Sequence, residues 1–422
     1  MSSIHSSSQD AAKADDSKAD GASAPAAGRD RMTRMELRAS ISLASIFALR
    51  MLGLFLILPV FAEYAAGLPD GHDAQRVGLA MGIYGLMQAF LHIPLGWLSD
   101  RVGRKPVMVA GLLLFVAGGL VAANADTLNG IIAGRALQGM GAISAAITAC
   151  IADLTREQHR TKAMALVGGS IGLTFALSLV IASPLLHGIG MPGIFTLMSV
   201  LGVLAILVTL FLVPAPPPPH PVRMPFRAVL ANPDLLRLNV GVLALHASQV
   251  AMFMVVPAML SDAGMPLDQH WKVYLPVVLV SFVLMLGPMM AAERYGKVRP
   301  VLLCAVGLMT AVQLLFAAVH GLWGIVAVLL LFFVAFNVLE AMQPSLVSRY
   351  AAAARGAALG VYNTTQALGL FLGGAAGGWL LKHEGRSAVF LGCAVVLLLW
   401  LIIAWNMKSP PARKSSAPAV AA

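Results

Sequence analysis

Along this chain, long apolar runs alternate with short polar stretches, and the runs have the length of bilayer crossings. A hydrocarbon layer about 30 Å thick takes roughly 20 helical residues to cross. By that measure the pattern predicts spans at 41–65, 76–98, 106–124, 128–152, 162–186 and 191–213, then at 236–260, 271–292, 298–319, 322–348, 356–381 and 386–406. Between the two sets lies PAPPPPHPV at 214–222. Such a stretch is stiff and extended and cannot continue a helix, so it reads as the start of a linker between two halves. The expected fold class is an all-α membrane protein of twelve transmembrane helices in two pseudo-symmetric six-helix bundles. The expected divisions are a disordered tail at 1–35, bundles at 36–213 and 236–406, a linker at 214–235, and a second tail at 407–422.

Composition supports the bilayer: 59% of residues are hydrophobic and 11% charged, with mean hydropathy +0.82. The first 30 residues are polar and rich in Ala, Ser and Asp, with no apolar stretch of the kind a cleavable signal peptide needs. Most of the 29 lysines and arginines fall in the tails and in the loops after spans 2, 4, 6, 8 and 10. Only Arg76, Lys272, Lys382 and Arg386 fall on the other side. Basic loops stay in the cytoplasm, so both termini are expected there, in a bacterial inner (plasma) membrane. The net charge of +10 punctuates apolar runs and forms no stripe, which argues against nucleic acid as a partner. Cys150, Cys304 and Cys393 lack ligand spacing. No phosphate loop, metal cluster or nucleophile–base pair stands out, so no cofactor and no enzymatic activity are expected.

The most specific short motif is GWLSDRVGRKPV at 96–107. Gly96 permits close helix approach, Asp100 closes span 2, and Arg101, Arg104 and Lys105 follow in a turn allowed by Gly103. One acid among three bases in a short loop can form a switchable set of ion pairs. A weaker copy, with Gly287, Glu293, Arg294, Gly296 and Lys297, follows span 8, as an internal repeat would give. The 96–105 segment resembles the loop motif of the major facilitator superfamily. That resemblance implies a conformational latch on the cytoplasmic side, comprising Gly96, Asp100, Arg101, Gly103 and Arg104, with Asp153 at the end of span 4 joining in and Asp100 aimed at the start of span 11.

Ionisable residues at membrane depth are costly and mark pathways or proton sites. Arg50 in span 1, Arg135 in span 4, His246 in span 7 and Glu340 in span 10 stand out. Those spans open the four three-helix repeats, and in the resembled family they line the central cavity. Glu340 is the first proton-carrier candidate, because ionising a carboxyl there costs more than in water. His246 is the second, because imidazole titrates near neutral pH. Arg50 is read as a fixed cation that pairs with Glu340 in one conformation. Arg135, in GRALQGMGA, resembles the family motif tied to proton coupling. Asn337 and Gln138 are candidate polar groups of the cavity.

The strings LRMLGLFLILPV, DLTREQHRTKAMA and FFVAFNVLEAMQPSL also resemble the drug/proton antiporter branch of that family, some of whose members carry a small soluble domain after the last span. In this chain only a short basic tail is expected. The segment GLTFALSLVIASPLL departs from the antiporter pattern, with Ser183 where glycine precedes Pro184. The expected function is proton-coupled transport of a small molecule by alternating access, as an efflux antiporter acting as a monomer in the lipid bilayer. A proton-coupled importer and a non-transporting sensor are the alternatives.

Overall fold

The computed structural model describes residues 31–216, 226–351 and 355–408. The tail up to residue 30, most of the Pro-rich linker and the tail from residue 409 lie outside the described residues. The described residues contain helices and connecting turns and no strand.

The first spanning helix, α1, runs Arg34–Ile57. It starts ahead of the predicted 41 because Thr33 and Glu36 form a reciprocal cap: the Thr33 hydroxyl accepts the Glu36 amide at 3.2 Å, and the Glu36 carboxylate accepts the Thr33 amide at 2.8 Å. It also stops early, just before Pro59, whose ring nitrogen has no hydrogen to donate to the Phe55 carbonyl, so Leu58 closes the helix on that oxygen instead. A separate short helix, Phe61–Ala66, follows. The predicted span at 41–65 is therefore one crossing plus a short cap.

Helix α2 is Ala74–Val102 and α3 is Arg104–Ala123. Helix α4, Leu128–Leu154, is interrupted between Met140 and Ser144. The interruption lies where α4 crosses α3 so closely that a Cβ on Gly141 would meet the Gly111 carbonyl oxygen at 2.3 Å. Helices α5 (157–189) and α6 (191–207) follow one another with only Gly190 between them, whose φ of 68° is left-handed and open to glycine. The break falls there, and Pro184 stays inside α5.

The second half comprises α7 (Pro233–Asp262), α8 (Trp271–Arg294), α9 (Val298–Ala318), α10 (Leu322–Tyr350), α11 (Arg355–His383) and α12 (Arg386–Trp405). Among the described residues, ten segments are long and apolar enough to cross a membrane. One of them, Lys162–Leu212, is 51 residues long and takes in most of α5 and all of α6. Helix α11 is less apolar because glycines and the polar run Asn363, Thr364, Thr365 and Gln366 stand where other spans carry aliphatic residues, yet its 29 residues equal α2 and α10 in length. Twelve crossings result.

The two halves are built alike. Arg38, in the second turn of α1, donates to the Leu212 and Phe211 carbonyls at 3.0 and 3.1 Å, and so ties α1 to the last turn of its own bundle. Arg237, in the second turn of α7, donates to the Ile403 carbonyl at 3.1 Å near the end of α12. The turn after α2 uses Gly103 at φ 107°, and the turn after α8 uses Gly296 at φ 65°.

Between the halves, α2 and α11 meet backbone to backbone. A Cβ on Gly78 would fall 2.1 Å from the Gly374 carbonyl oxygen, one on Gly85 2.4 Å from that of Ala367, and one on Gly378 2.5 Å from that of Ala74. Small residues permit such an approach. Gly369 and Gly373, on another face of α11, press against α7 of the same half. All of these α2 contacts lie toward residue 74, at what is termed below the far end. The end that carries residues 100–104 is termed the motif end.

Candidate functional site

The residues singled out in the sequence fall into three polar groupings in or beside the spans. At the motif end, Arg104 is 7% exposed and gathers the acids. Its Nε donates to Asp153 at 2.9 Å, while its Nη1 donates to the Ser99 hydroxyl at 2.8 Å and closely to Asp100. Gly103 turns the chain so that α3 begins directly on Arg104. Arg101 stays out of the cluster, its guanidinium 3.9 Å above the Trp97 ring. Gly96 faces α4, where a Cβ would lie 3.2 Å from that of Ala145. The structure thus joins Asp100, Arg104 and Asp153, and among the described residues Asp100 is paired with Arg104 rather than with α11. Beside this cluster Arg156 holds Glu36 of α1 through its backbone amide and Nε, each at 2.9 Å, and through Nη2 at 3.0 Å.

The core of the first half is cationic. Arg50, with no exposed surface, donates to the Tyr84 hydroxyl at 2.7 Å and to Ser144 at 3.2 Å. Gln88 donates to the same hydroxyl at 2.9 Å. Arg135 lies on the other side, its guanidinium 5.3 Å from the Tyr84 ring centre, and donates to the carbonyls of Ala80 and Met81, each at 3.1 Å. Neither arginine has a carboxylate partner among the described residues. Hydrogen bonding to hydroxyl and carbonyl oxygens is what makes these buried cations tolerable. Gln138 packs against Gly118 and Gly119 of α3, and His92 is buried within electrostatic reach of Arg50.

The core of the second half carries the acid and the imidazole. His246 Nδ1 donates to the Val242 carbonyl at 3.0 Å, which leaves Nε2 as the acceptor facing the Gln366 amide at 2.7 Å. The same Nε2 is 3.5 Å from Glu340 Oε2, an oxygen sealed from solvent and without a hydrogen bond among the described residues. Tyr362 of α11 is within electrostatic reach of Glu340, and its buried hydroxyl is likewise unbonded. Asn337, one turn before Glu340, donates to Ser281 of α8 at 3.0 Å. Phe336 sets its edge against the His246 ring and meets Phe175 of α5 at 5.8 Å, so aromatic packing joins the halves beside this pair.

The structure therefore brings His246 and Glu340 together and pairs Arg50 with Tyr84 and Ser144 in place of Glu340. Tyr84, Gln88, Ser144, Gln366 and Tyr362 escaped the sequence reading. One signal was available: Tyr84, Gln88 and His92 are polar at i, i+4 and i+8 in an apolar run, which puts them on one helix face.

Twelve spanning helices in paired bundles, with ionisable groups at mid-depth, define a polytopic membrane transporter. The family model of the Major Facilitator Superfamily matches residues 43–292 and 277–422. The chain belongs to that superfamily. It is 43% identical over 389 residues to the inner membrane transport protein YajR of Escherichia coli, covering 90% of this chain and 86% of that one. It is 31% identical over 172 residues to a class B tetracycline resistance protein of E. coli, covering 39% and 42% of the two chains. A crystal structure of the human organic anion transporter MFSD10 (TETRAN) superposes with a TM-score of 0.66 at 18% identity, covering 88% of this chain and 100% of that one. The protein is thus a membrane transporter of small molecules and not an enzyme.

Proposed function

We propose that the protein is a proton-coupled efflux antiporter of a bacterial inner membrane, working as a monomer by alternating access. The observation that carries this is the His246–Glu340 contact. An imidazole nitrogen and a sealed carboxyl oxygen stand 3.5 Å apart on two helices. A proton placed between the two atoms turns a marginal contact into a hydrogen bond, charge-assisted where the imidazole holds the proton, with the Gln366 amide then turning to present its oxygen. Protonation then changes how α7, α10 and α11 pack, which is the differential interaction that a conformational switch requires.

The glycine contacts of α2 and α11 close the far end. The motif end, where basic residues cluster, is read as cytoplasmic, so this conformation faces the cytoplasm. The cluster of Asp100, Arg104 and Asp153 is then the part that re-forms against the other half when that side closes. The two buried arginines hold α1, α2 and α4 as one unit. Export is supported by the partial likeness to a tetracycline resistance protein. Aromatic packing at the junction of the halves suits lipophilic solutes.

The test is flux in everted vesicles with a preset pH gradient, screened across chemically diverse compounds. Substrate-induced collapse of the gradient is expected for the native chain and no collapse for Glu340→Gln at equal membrane level. Normal gradient-driven transport by Glu340→Gln removes that carboxyl from the mechanism, and co-movement of proton and solute assigns import.

A further inference from the structure

At the far end, a second carboxyl sits where the two halves touch. Glu63 lies on the short helix Phe61–Ala66, beyond α1. Its Oε1 accepts a hydrogen bond from the Ser261 hydroxyl of α7 at 2.8 Å, which ties the first half to the second. Its Oε2 is shut off from solvent and has no hydrogen bond among the described residues. Behind Ser261 stands His270, with no exposed surface, whose Nε2 is 3.5 Å from the Ser261 hydroxyl and donates to the Met265 carbonyl at 3.0 Å. Tyr274 of α8 is fully buried and within electrostatic reach of Glu63.

The charges around this carboxyl are unfavourable to an anion. Asp262, next to Ser261, repels it. Arg386 of α12 is committed to Asp262. Asp268 acts on His270, and Tyr64, on the same short helix, feels Asp126. Lys382 is held by Asp73. Burial raises the Glu63 carboxyl above the ordinary carboxylate range, Asp262 adds to that, and the Ser261 hydrogen bond opposes it.

We propose that Glu63 is a second proton-binding site, separate from Glu340, and that its carboxyl must be neutral for the two halves to close at the far end. The inference rests on the alternating-access reading but not on Glu340. When the far end opens, water reaches the carboxyl and its acidity returns to normal. When the end closes around Ser261, His270 and Tyr274, the carboxyl keeps its proton. Closure thus takes up a proton. Its stabilisation is complete below the open-state pKa and is lost as pH rises through the higher closed-state value. Acid on the far side therefore favours closing there, the direction in which a proton entering from that side would drive the cycle.

The test measures closure directly, with no substrate present. Spin labels at Asn124→Cys and Trp323→Cys, both exposed and at the far end of opposite halves, report the separation in full-length protein in lipid nanodiscs. The background carries Cys304→Ser, since Cys150 and Cys393 are buried. The short-distance population is expected to rise several-fold between pH 8 and pH 5 and to become high and flat in Glu63→Gln. Ser261→Ala, which removes the hydroxyl that favours the ionised carboxyl, is expected to move the midpoint to higher pH. Native pH dependence in Glu63→Gln, or a midpoint unmoved by Ser261→Ala, overturns the site. A chain that closes with acid as described yet moves solute without protons keeps this site and loses the function proposed above.

Discussion

The two ends of α2 are held in opposite ways. Toward residue 74 the helix meets α11 through bare backbone, with Gly78 against Gly374 and Gly85 against Ala367. Toward residue 102 its glycine, Gly96, faces only Ala145 of its own half, and Arg104 gathers Asp100 and Asp153 beside it. Backbone packing is short-ranged and tolerates no intruding atom. Ion pairs act over longer distances and can exchange partners. One helix therefore carries a contact that is either fully made or lost and another that can be rewired, which suits a part that rocks between two positions.

The strongest way to break this contrast is to add one carbon at the closed end. A Cβ on Gly78 at 2.1 Å from the Gly374 oxygen meets backbone, which cannot swing aside. Overpacking of this kind costs about 1–3 kcal/mol, and Gly78→Ala belongs at the top of that range. By the rule that 1.4 kcal/mol is tenfold, the far-end closed population should fall roughly a hundredfold in the label-distance measurement. Gly96→Ala is the matched control, with a Cβ 3.2 Å from that of Ala145. It should shift the same population by less than about threefold, because this contact lies within one half and is made whether the far end is open or closed. Equal effects from the two alanines would erase the distinction between the ends.

At the motif end the expected effect is intermediate. Arg104→Met removes the partner of both Asp100 and Asp153, whose side chains are 13% and 33% exposed. Losing a hydrogen-bonded charge partner costs about 1–3 kcal/mol. The partial exposure of Asp153 lets water recover some of that, so about 1–2 kcal/mol is expected. Turnover in vesicles should fall roughly tenfold at unchanged membrane level, while far-end closure stays near native. Asp100→Asn should slow turnover by less, since Arg104 keeps Asp153. A native turnover rate for Arg104→Met would show that the cluster does no more than orient the loop.

Twelve crossings and two bundles were legible because hydrophobic length is a property of contiguous sequence. The loop motif was legible for the same reason: Gly103 and Arg104 act on their immediate neighbours. The break near Pro59 and the reciprocal cap at Thr33 are local too, and Thr33 followed three residues later by Glu36 stands in the sequence as a capping signature. What the sequence withheld is which distant partner each buried group meets. Nothing near Arg50 in the chain points to Tyr84, and nothing near His246 points to Gln366. Arg38 and Arg237 read as topogenic charges in basic stretches, yet each bonds to the last turn of its bundle.

The smallest expected effect sharpens the comparison within the closed end itself. Asp73, just before α2, accepts a hydrogen bond from Lys382 of α11 at 2.9 Å, with side chains 31% and 41% exposed. The Lys382 ammonium lowers the Asp73 carboxyl below its ordinary value, helped by backbone amides at the helix start. The sign is opposite to that of Glu63. A lowered carboxyl contributes stability that is present above its ordinary value of about 3.9 and is lost as pH falls through the lowered one. Half-exposed pairs of this kind are worth about 0.2–1 kcal/mol. In Glu63→Gln, where the larger response is removed, closure should therefore stay flat from pH 8 to about pH 4 and weaken slightly below it. Adding Asp73→Asn should abolish that last decline and lower closure uniformly by less than about fivefold. A decline that survives Asp73→Asn would assign the acid response to another carboxylate at this end, with Asp262 beside Arg386 the next to test.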